Sequence, residues 1–300
     1  MAAKIPFVRD MTFQYGEPQQ VSPLIRRVVA NNPGPFTFRG TGVYIVGRGE
    51  VAVIDPGPDV AIHIEALQRT LAEERVSHIF VTHRHLDHSP AARPLAAASG
   101  AKIFASGIAP KTSDDDFVAE AGDDLGFRPD IVVADGDVFS GAGWTLEAVF
   151  TPGHTSDHMC LALREENALF CGDHIMGWST TVVSPPDGDM EAYLASLDKV
   201  QARHFATLWP THGPPVREVD AFIDAYRAHR MDREAQIIER LAAGQSRIKD
   251  MVPVIYADVD PRLYPAAAHS VLAHMIRLVE IGRVRCEGPP GLASAYALIS

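Results

Sequence analysis

Short apolar runs that end at turn-forming residues recur along the first two thirds of the chain. Residues 42–46 and 51–54 form two such runs around the turn 47–49, and this pattern predicts a pair of strands. Residues 61–75 place apolar side chains three and four positions apart, which predicts a helix, and a second helix is predicted at 90–99. Further strands are predicted at residues 102–105, 131–134 and 144–150. The alternation of strands and helices indicates an α/β fold.

The last third of the chain has a different pattern. Its predicted helices cover residues 218–241, 248–256 and 262–281. Asp260 and Pro261 are suitable residues for the start of the third helix, as N-cap and first-turn residue. Residues 283–287 and 293–299 then predict a hairpin around a Gly-Pro-Pro-Gly turn. Three helices and a terminal hairpin indicate a winged-helix module.

Side chains that bind divalent metals stand directly after the apolar runs. The densest group lies in residues 82–88, after the run Ile79, Phe80 and Val81. Its imidazoles and its carboxylate belong to His83, His85, Asp87 and His88. Imidazole nitrogen and carboxylate oxygen are ligands that Zn²⁺ and similar cations accept. In a turn at the end of a strand these groups can divide between two adjacent ions, so we predict a two-metal catalytic centre.

Further candidates follow elsewhere in the chain, each just beyond a short apolar strand. They are Asp55, His154, Asp173 and His212. Open α/β sheets collect their sites at the carboxyl ends of strands. We therefore expect these side chains to meet those of residues 82–88 at one edge of the sheets.

The five motifs, in this order, resemble those of the metallo-β-lactamase fold superfamily of metal-dependent hydrolases over roughly residues 22–216. The resemblance implies a four-layer αββα fold. Residues 1–216 would then form the catalytic domain, and residues 217–300 a helical linker and a small winged-helix domain.

The resemblance also implies how the ligands divide between the metals. The first metal would be held by three imidazoles, those of His83, His85 and His154. The second would be held by Asp87, His88 and His212. Asp173 would bridge both ions, and Asp55 would orient ligands from behind them, a role that metal sites need.

Two divalent cations suggest a hydrolytic mechanism. Zinc is the expected metal, and iron or manganese would also suit these ligands. A hydroxide bridging the two ions would attack an ester, thioester or lactone carbonyl, because paired cations lower the pKa of a shared water. Asp87 and Asp173 are the catalytic candidates, the first as a proton acceptor and the second as the bridging ligand. No nucleophilic Ser or Cys is then needed.

The segment 174–190 follows the bridging ligand and contains too many Pro and Gly residues for a regular element. Loops on a rigid scaffold commonly carry substrate contacts. The candidate pocket residues are Trp178, Ser179, Thr180 and Thr181, with a purely structural loop as the alternative. Arg84 or this loop could recognise a carboxylate or a phosphate.

Five other features have simpler interpretations. Ser89 is expected to cap the helix at 90–99, and Cys171 to pack rather than bind a metal. His158 and His174 are expected to be structural or to support the ligands. The acidic segment 113–130 is expected to be a solvated loop.

A second resemblance leaves another function open. The motif at 153–159 and the segment 260–267 resemble the subgroup named for β-lactamase-like protein 2, whose members include an endoribonuclease for single-stranded RNA. The alternative function is therefore hydrolysis of RNA phosphodiesters. The net charge is −11, and residues 217–300 carry as many basic as acidic side chains, so no basic footprint is evident. A small-molecule substrate is favoured, and the winged helix could support a homodimer.

Composition agrees with a soluble enzyme. The apolar fraction is 46% and the charged fraction 22%, and no run reaches the length of a membrane span. Residues 1–10 lack the apolar core of a secretion signal. Three cysteines without close spacing suit reduced thiols. We therefore expect a cytoplasmic protein.

Overall fold

Two β-sheets pack face to face in the first part of the chain; the computed structural model describes residues 4–111 and 122–299. The first sheet contains β1 (Gln19–Gln20), β2 (Ile25–Val29), β3 (Gly42–Arg48), β4 (Glu50–Ile54), β5 (Arg75–Phe80), β6 (Lys102–Ala105) and β7 (Ile131–Val132), in sequential order. Its first four strands pair antiparallel, and β4 to β7 pair in parallel.

The second sheet contains β8 (Val138–Gly141), β9 (Trp144–Phe150), β10 (Met159–Leu163), β11 (Ala168–Gly172) and β12 (Thr207–Pro210), in the order β12-β11-β10-β9-β8. Only the β11–β12 pair is parallel among its pairings. Helices α1 (Ala61–Thr70), α2 (Ala92–Ser99) and α3 (Met190–Gln201) connect these strands.

The core between the sheets is aromatic. Trp144, Tyr44, Phe80 and Phe170 are all buried in it, and Trp144 Nε1 donates to the Glu50 carbonyl oxygen at 3.0 Å. The indole needs a neighbour without a side chain, because a Cβ at position 141 would lie 2.3 Å from Trp144 Cε2. Burial of such rings contributes most of the stability of a core like this one.

Two further cores lie on the outer faces of the sheets. Leu67 of α1 and Leu95 of α2 pack against Ile79 and its neighbours on the first sheet. Leu197 of α3 packs with Leu169 on the outer face of the second sheet. The layers therefore run helix, sheet, sheet, helix, and the predicted αββα fold is confirmed.

The C-terminal domain contains α4 (Val219–Ala242), α5 (Ile248–Ile255), α6 (Tyr264–Glu280), β13 (Val284–Cys286) and β14 (Tyr296–Leu298). The last two strands form the predicted hairpin, and the winged helix is confirmed. Asp260 caps the 3₁₀ turn before α6, with its side chain accepting from the Arg262 N–H.

Helix α4 belongs to two cores. Its first half places Phe222 and Tyr226 in the core outside the second sheet, and its second half places Ile237 and Leu241 in the core of the winged helix. The domain boundary between residues 216 and 217 stays a prediction. Because α4 is shared, the C-terminal domain packs directly against the helical layer outside the second sheet.

Several predicted boundaries differ from the structure. Helix α1 ends at Thr70 rather than at Arg75, because Arg75 begins β5 and its N–H donates to the Gly49 carbonyl at 2.7 Å. Helix α2 begins at Ala92, and Ser89 does not cap it: its hydroxyl donates to the Arg84 and His85 carbonyls. Of the acidic segment 113–130, residues 113–121 lie outside the described residues. None of the described helices is both long and apolar enough to cross a membrane.

Candidate metal centre

The predicted ligands follow the ends of five strands that converge on one edge of the sandwich. The parallel strands β4 and β5 lead to Asp55 and to residues 82–88, and the parallel strands β11 and β12 lead to Asp173 and His212. His154 follows β9. Parallel strands deliver the residues after their carboxyl ends to the same side of a sheet, which explains why ligands distant in sequence meet.

The structure brings the candidate ligand atoms together in three overlapping groups. Within each group the ligand atoms lie within 4.8 Å of one another, and all the residues are buried. The groups are His83, His85 and His154; His83, His88 and Asp173; and Asp87, His88 and His212. All the predicted metal ligands therefore lie in these groups, and Asp173 is grouped with one residue of each set that the resemblance implies. The division of the ligands between two metals stays a prediction.

Carboxylate and imidazole atoms approach closely across the second set. His212 Nε2 lies 3.0 Å from Asp87 Oδ2 and 3.4 Å from Asp173 Oδ2. His88 Nε2 lies 3.5 Å and 3.6 Å from the same two carboxylate oxygens. Four donor atoms of both types thus surround one small volume.

Asp55 supports the cluster from behind. Its carboxylate accepts from the Thr82 N–H and hydroxyl, both at 2.8 Å, and from the Thr211 hydroxyl at 3.0 Å. His88 Nδ1 lies 2.9 Å from Asp55 Oδ2, so Nε2 of the same ring turns towards Asp173. Asp55 holds a left-handed backbone with φ 47°, a conformation that costs a residue other than glycine about 1 kcal/mol.

Hydrogen bonds also orient the other imidazoles. His154 Nδ1 donates to the Val182 carbonyl at 2.7 Å, and His83 Nδ1 lies 3.0 Å from the Thr82 hydroxyl. His212 Nδ1 lies 3.3 Å from the Gly40 carbonyl. These contacts turn Nε2 of each ring towards the other candidate ligands: His83 Nε2 lies 3.0 Å from His85 Nδ1, and His212 Nε2 lies 3.0 Å from Asp87 Oδ2.

The donor set fits divalent cations. His88 Nε2 and Asp173 Oδ1 are fully buried, and neither has a hydrogen-bond partner among the described residues. Buried polar atoms without a partner are rare and need an explanation. A cation among these imidazole and carboxylate atoms provides one, since both atoms are ligands that zinc, iron and manganese accept.

The two sides of the cluster differ electrostatically. Burial, followed by the neighbouring imidazoles, lowers the pKa of His83 well below its usual range, and burial likewise lowers the pKa of His85 to about 3. Burial would also lower the pKa of His212, but the Asp173 and Asp87 carboxylates outweigh it and raise the pKa to about 10. His83 and His85 therefore present neutral imidazoles, whereas His212 forms an ion-paired group with the Asp173 and Asp87 carboxylates.

The other polar candidates near the centre support it without joining the ligand groups. His158 Nε2 accepts from the Asp173 N–H at 3.2 Å, and its Nδ1 lies 2.8 Å from the Thr151 hydroxyl. The Cys171 thiol donates to the Ile175 carbonyl, and burial raises its pKa well above the usual value, so the thiol stays neutral. Both residues have the supporting roles expected of them.

The loop after Asp173 borders a cavity. Trp178, Ser179, Thr180 and Thr181 all line it, and Trp178 stacks on Phe38 with ring centroids 4.8 Å apart. Arg84, the other candidate for anion recognition, forms a buried ion pair with Asp157 at 3.0 Å. Its charge is therefore already neutralised.

Asp123 is a residue near the centre that sequence reasoning missed. Its carboxylate Oδ1 lies 3.7 Å from His85 Nε2, and Gly122 beside it accepts from the Leu86 N–H. Burial, then the charge of Asp187, raises the pKa of Asp123. The dense acidic run predicted a solvated loop, and only the tertiary fold places this one carboxylate against a ligand.

Comparison with known proteins identifies the family. Residues 37–212 match the model of the metallo-beta-lactamase superfamily. The chain belongs to this superfamily. Residues 248–289 match the beta-lactamase associated winged helix domain.

Relatives of similar length exist among characterised proteins. Atrochrysone carboxyl ACP thioesterase AgnL7 from Paecilomyces divaricatus is 32% identical, over 93% of this chain and 87% of its own. The beta-lactamase-like protein 2 homolog of Caenorhabditis elegans is 33% identical, over 89% of this chain and 88% of its own. A beta-lactamase domain protein from Burkholderia ambifaria superposes with a TM-score of 0.76 at 19% identity, over 97% and 96% of the two chains, and shows the same fold.

The family and the cluster together define the class of the protein. It is a hydrolase of the metallo-β-lactamase superfamily, with histidine and aspartate side chains grouped so that they could bind metal ions. The relatives include the β-lactamase-like protein 2 homolog that the sequence motifs suggested.

Proposed function

We propose that this protein is a dinuclear-metal-dependent hydrolase and that its substrates are acyl thioesters, within the wider class of esters, thioesters and lactones. The observation that carries the proposal is the cluster of three ligand groups, which share His83 and His88. One cation could not contact all three groups at the distances that metals require, because Zn–N and Zn–O bonds are about 2.0–2.2 Å long. Two neighbouring cations could.

The ligands would divide as the sequence suggested. The first cation would be held by His83, His85 and His154, and the second by Asp87, His88 and His212. Asp173 would contact both. Zinc suits this donor set best, and iron or manganese would also fit. When bound, such a pair supplies a water of lowered pKa and draws electron density from a carbonyl oxygen.

The chain's own residues would hold the ligand rings in place and accept a proton from the attacking water. Asp55 fixes the ring of His88, and Val182 fixes that of His154, so the geometry is set before substrate arrives. Asp87 is the proposed proton acceptor for the attacking water, since its carboxylate belongs to the ligand cluster and its Oδ2 lies 3.0 Å from His212 Nε2. The Ser89 hydroxyl is buried and donates to backbone carbonyls, so it is not placed to act as a nucleophile.

Thioesters are preferred within this class for two reasons. The relative from P. divaricatus, aligned over 93% of this chain, carries the name of an ACP thioesterase. The cavity beside the loop 174–190 is lined by aromatic and aliphatic side chains, among them Phe36, Met176 and Trp178. Such a surface can enclose an acyl group.

Hydrolysis of single-stranded RNA is the alternative. The chain carries a net charge of −11, and the start of α6 presents Ala266, Ala267 and Ala268 where a nucleic-acid reader would carry basic side chains. This distribution supports the small substrate. The experiment below therefore also tests labelled RNA as a substrate.

The test is a metal analysis combined with a substrate panel. We expect about two equivalents of metal per chain, turnover of acyl-N-acetylcysteamine thioesters, and loss of both metal and turnover in Asp173→Ala. Asp220→Asn is the matched control, because Asp220 forms an exposed pair with His204 and belongs to none of the three ligand groups. Activity that persists without metal would contradict the proposal. Cleavage of labelled RNA without thioester turnover would replace it with the alternative.

A further inference from the structure

A cavity of about 390 Å³ lies between the loop after Asp173 and the C-terminal domain. Its walls come from the loop residues 176–182, from α4 and from the start of α6. The apolar part of the lining includes Phe36, Met176, Trp178, Tyr256 and Leu263. The volume is within the range of sites that enclose a small organic molecule.

Arg230 of α4 lines this cavity and is only 4% exposed. Its Nη2 donates to the Thr181 carbonyl, and its guanidinium lies over the ring of Tyr193, 5.1 Å from the centroid. Its Nε is fully buried and has no hydrogen-bond partner among residues 4–111 and 122–299. No Asp or Glu of those residues forms an ion pair with it, although an uncompensated buried charge costs several kcal/mol.

The surroundings of Arg230 add hydrogen-bond donors and one further positive charge, that of Arg233. Burial and the neighbouring arginines lower the pKa of His229 to about 4, so its imidazole is neutral. Arg233 and His229 also line the cavity, and the buried Trp178 Nε1 has no acceptor among the described residues. Glu234, one turn further along α4, is held elsewhere: both of its carboxylate oxygens lie 2.8 Å from Arg277 Nη1. The described part of the cavity is therefore rich in donors and lacks a carboxylate to accept from them.

The loop connects this cavity to the candidate metal centre. The Thr181 carbonyl accepts from Arg230, and the carbonyl of the next residue, Val182, accepts from His154. Two consecutive peptide units thus contact the cavity arginine on one side and a proposed metal ligand on the other. The cavity and the candidate metal centre therefore adjoin the same short segment of the loop.

We propose that this cavity binds an oxyanion group of the substrate and that Arg230 is its counter-ion. The substrate class is an acyl thioester that carries a carboxylate or a phosphate on an apolar or aromatic body. A guanidinium is a planar, permanently charged donor group that matches either anion, and the aromatic lining encloses the body. The inference rests on the proposed thioesterase function for the chemistry at the metal centre.

The binding test does not depend on hydrolysis. Isothermal titration compares 2-naphthoate with the uncharged 2-naphthalenemethanol on the wild type, on Arg230→Met and on the control Arg227→Gln, which lies on the same helix but pairs with Asp198 and Asp224 at the surface. We expect Arg230→Met to weaken naphthoate binding about 10- to 100-fold, as loss of a hydrogen bond to a charged group predicts. The alcohol should bind to all three with affinities within about twofold.

Arg230→Lys keeps the charge, so it serves if the Met variant does not fold. Its naphthoate affinity should fall between the other two, because an ammonium replaces the planar pair of donors with a single point charge. Unchanged naphthoate binding in either variant would overturn the inference, since the carboxylate would then bind elsewhere, for instance at the metals. Equal losses for naphthoate and the alcohol would show a structural role and would also overturn it.

Kinetics then locate the anion within the substrate. Four thioesters combine an acyl group, with or without a terminal carboxylate, with pantetheine, with or without its 4′-phosphate. If Arg230→Met lowers kcat/KM only for the thioesters with the terminal carboxylate, the anion is on the acyl group. If it lowers kcat/KM only for those with the phosphate, the anion is on the carrier. Either result supports the inference. A uniform fall contradicts it. If naphthoate binds through Arg230 but no thioester is hydrolysed, the proposed function fails and the anion site stands.

Discussion

The substitution Asp55→Asn tests how far one buried carboxylate controls the metal centre. Asparagine has almost the same shape and tolerates the left-handed backbone at φ 47°, so the backbone is not strained. The difference is that an amide accepts hydrogen bonds through one oxygen only. Asp55 Oδ1 accepts from the Thr82 N–H, and Oδ2 accepts from two hydroxyls and faces His88 Nδ1.

Neither orientation of the asparagine amide can accept from both the backbone N–H of Thr82 and the Nδ1–H of His88. If the amide oxygen replaces Oδ1, its NH₂ faces His88 Nδ1, and the ring must move its proton to Nε2, the atom that is needed for the metal. If the amide is flipped, the NH₂ faces the backbone N–H of Thr82, which cannot adapt. The hydroxyls can rotate, so one hydrogen bond to a charged group is lost, at a cost of about 1.5–3 kcal/mol. This corresponds to a loss of about 10- to 100-fold in metal affinity. Mutation of other residues that hydrogen-bond to metal ligands has effects of the same size.

The measurement is a competitive titration with a chromophoric chelator, which reports the two metal affinities separately. We expect one of the two affinities to fall by that factor in Asp55→Asn and the other to change less, because the proposal places His88 in only one of the two ligand sets. Asp220→Asn, at the exposed pair with His204, should leave both affinities unchanged. Wild-type affinities in Asp55→Asn would refute the argument that Asp55 fixes the tautomer of His88.

Three further predictions address the centre, the core and the pH dependence. Asp173→Ala should remove metal and activity and leave the winged helix folded, which its far-ultraviolet dichroism would show. Trp144→Ala should lower the free energy of unfolding by about 3–5 kcal/mol, because the indole fills the core between the sheets, and urea unfolding would measure it. Burial lowers the pKa of His63 below its usual 6.5, so unfolding takes up a proton there. Its share of stability is complete above pH 6.5 and is lost as the pH falls towards the lowered pKa. The urea midpoint should therefore decline less steeply in His63→Gln than in the wild type between about pH 7.5 and 5.5, and equal declines would contradict this assignment.

The sequence predicted which candidate side chains would cluster, because each of them follows a strand directly in the chain. His83, His85, Asp87 and His88 directly follow a buried strand, and the turn after a strand has few conformations available. The same rule located Asp55, His154, Asp173 and His212 beyond the ends of their strands. Their convergence then follows from parallel pairing in β4–β5 and β11–β12.

Arg230 was missed although a signal was present. Phe222, Tyr226 and Arg230 are spaced four residues apart, so the arginine shares the buried face of α4. A charge on an apolar stripe indicates a buried partner or a ligand, but the sequence does not show which. Asp123 had no comparable signal, because its neighbours in the acidic run resemble a solvated loop.

The sequence by itself determined the αββα and winged-helix architecture, the class of hydrolase and the candidate metal-binding residues. Strand and helix periodicity, and the placement of metal-binding side chains after strands, depend on near neighbours in the chain. The tertiary structure decided which residues surround the ligands and what shape the substrate would meet. Asp123 beside His85 and the cavity at Arg230 depend on contacts between segments far apart in sequence. Such contacts are set by the packing of whole layers, which local patterns do not encode.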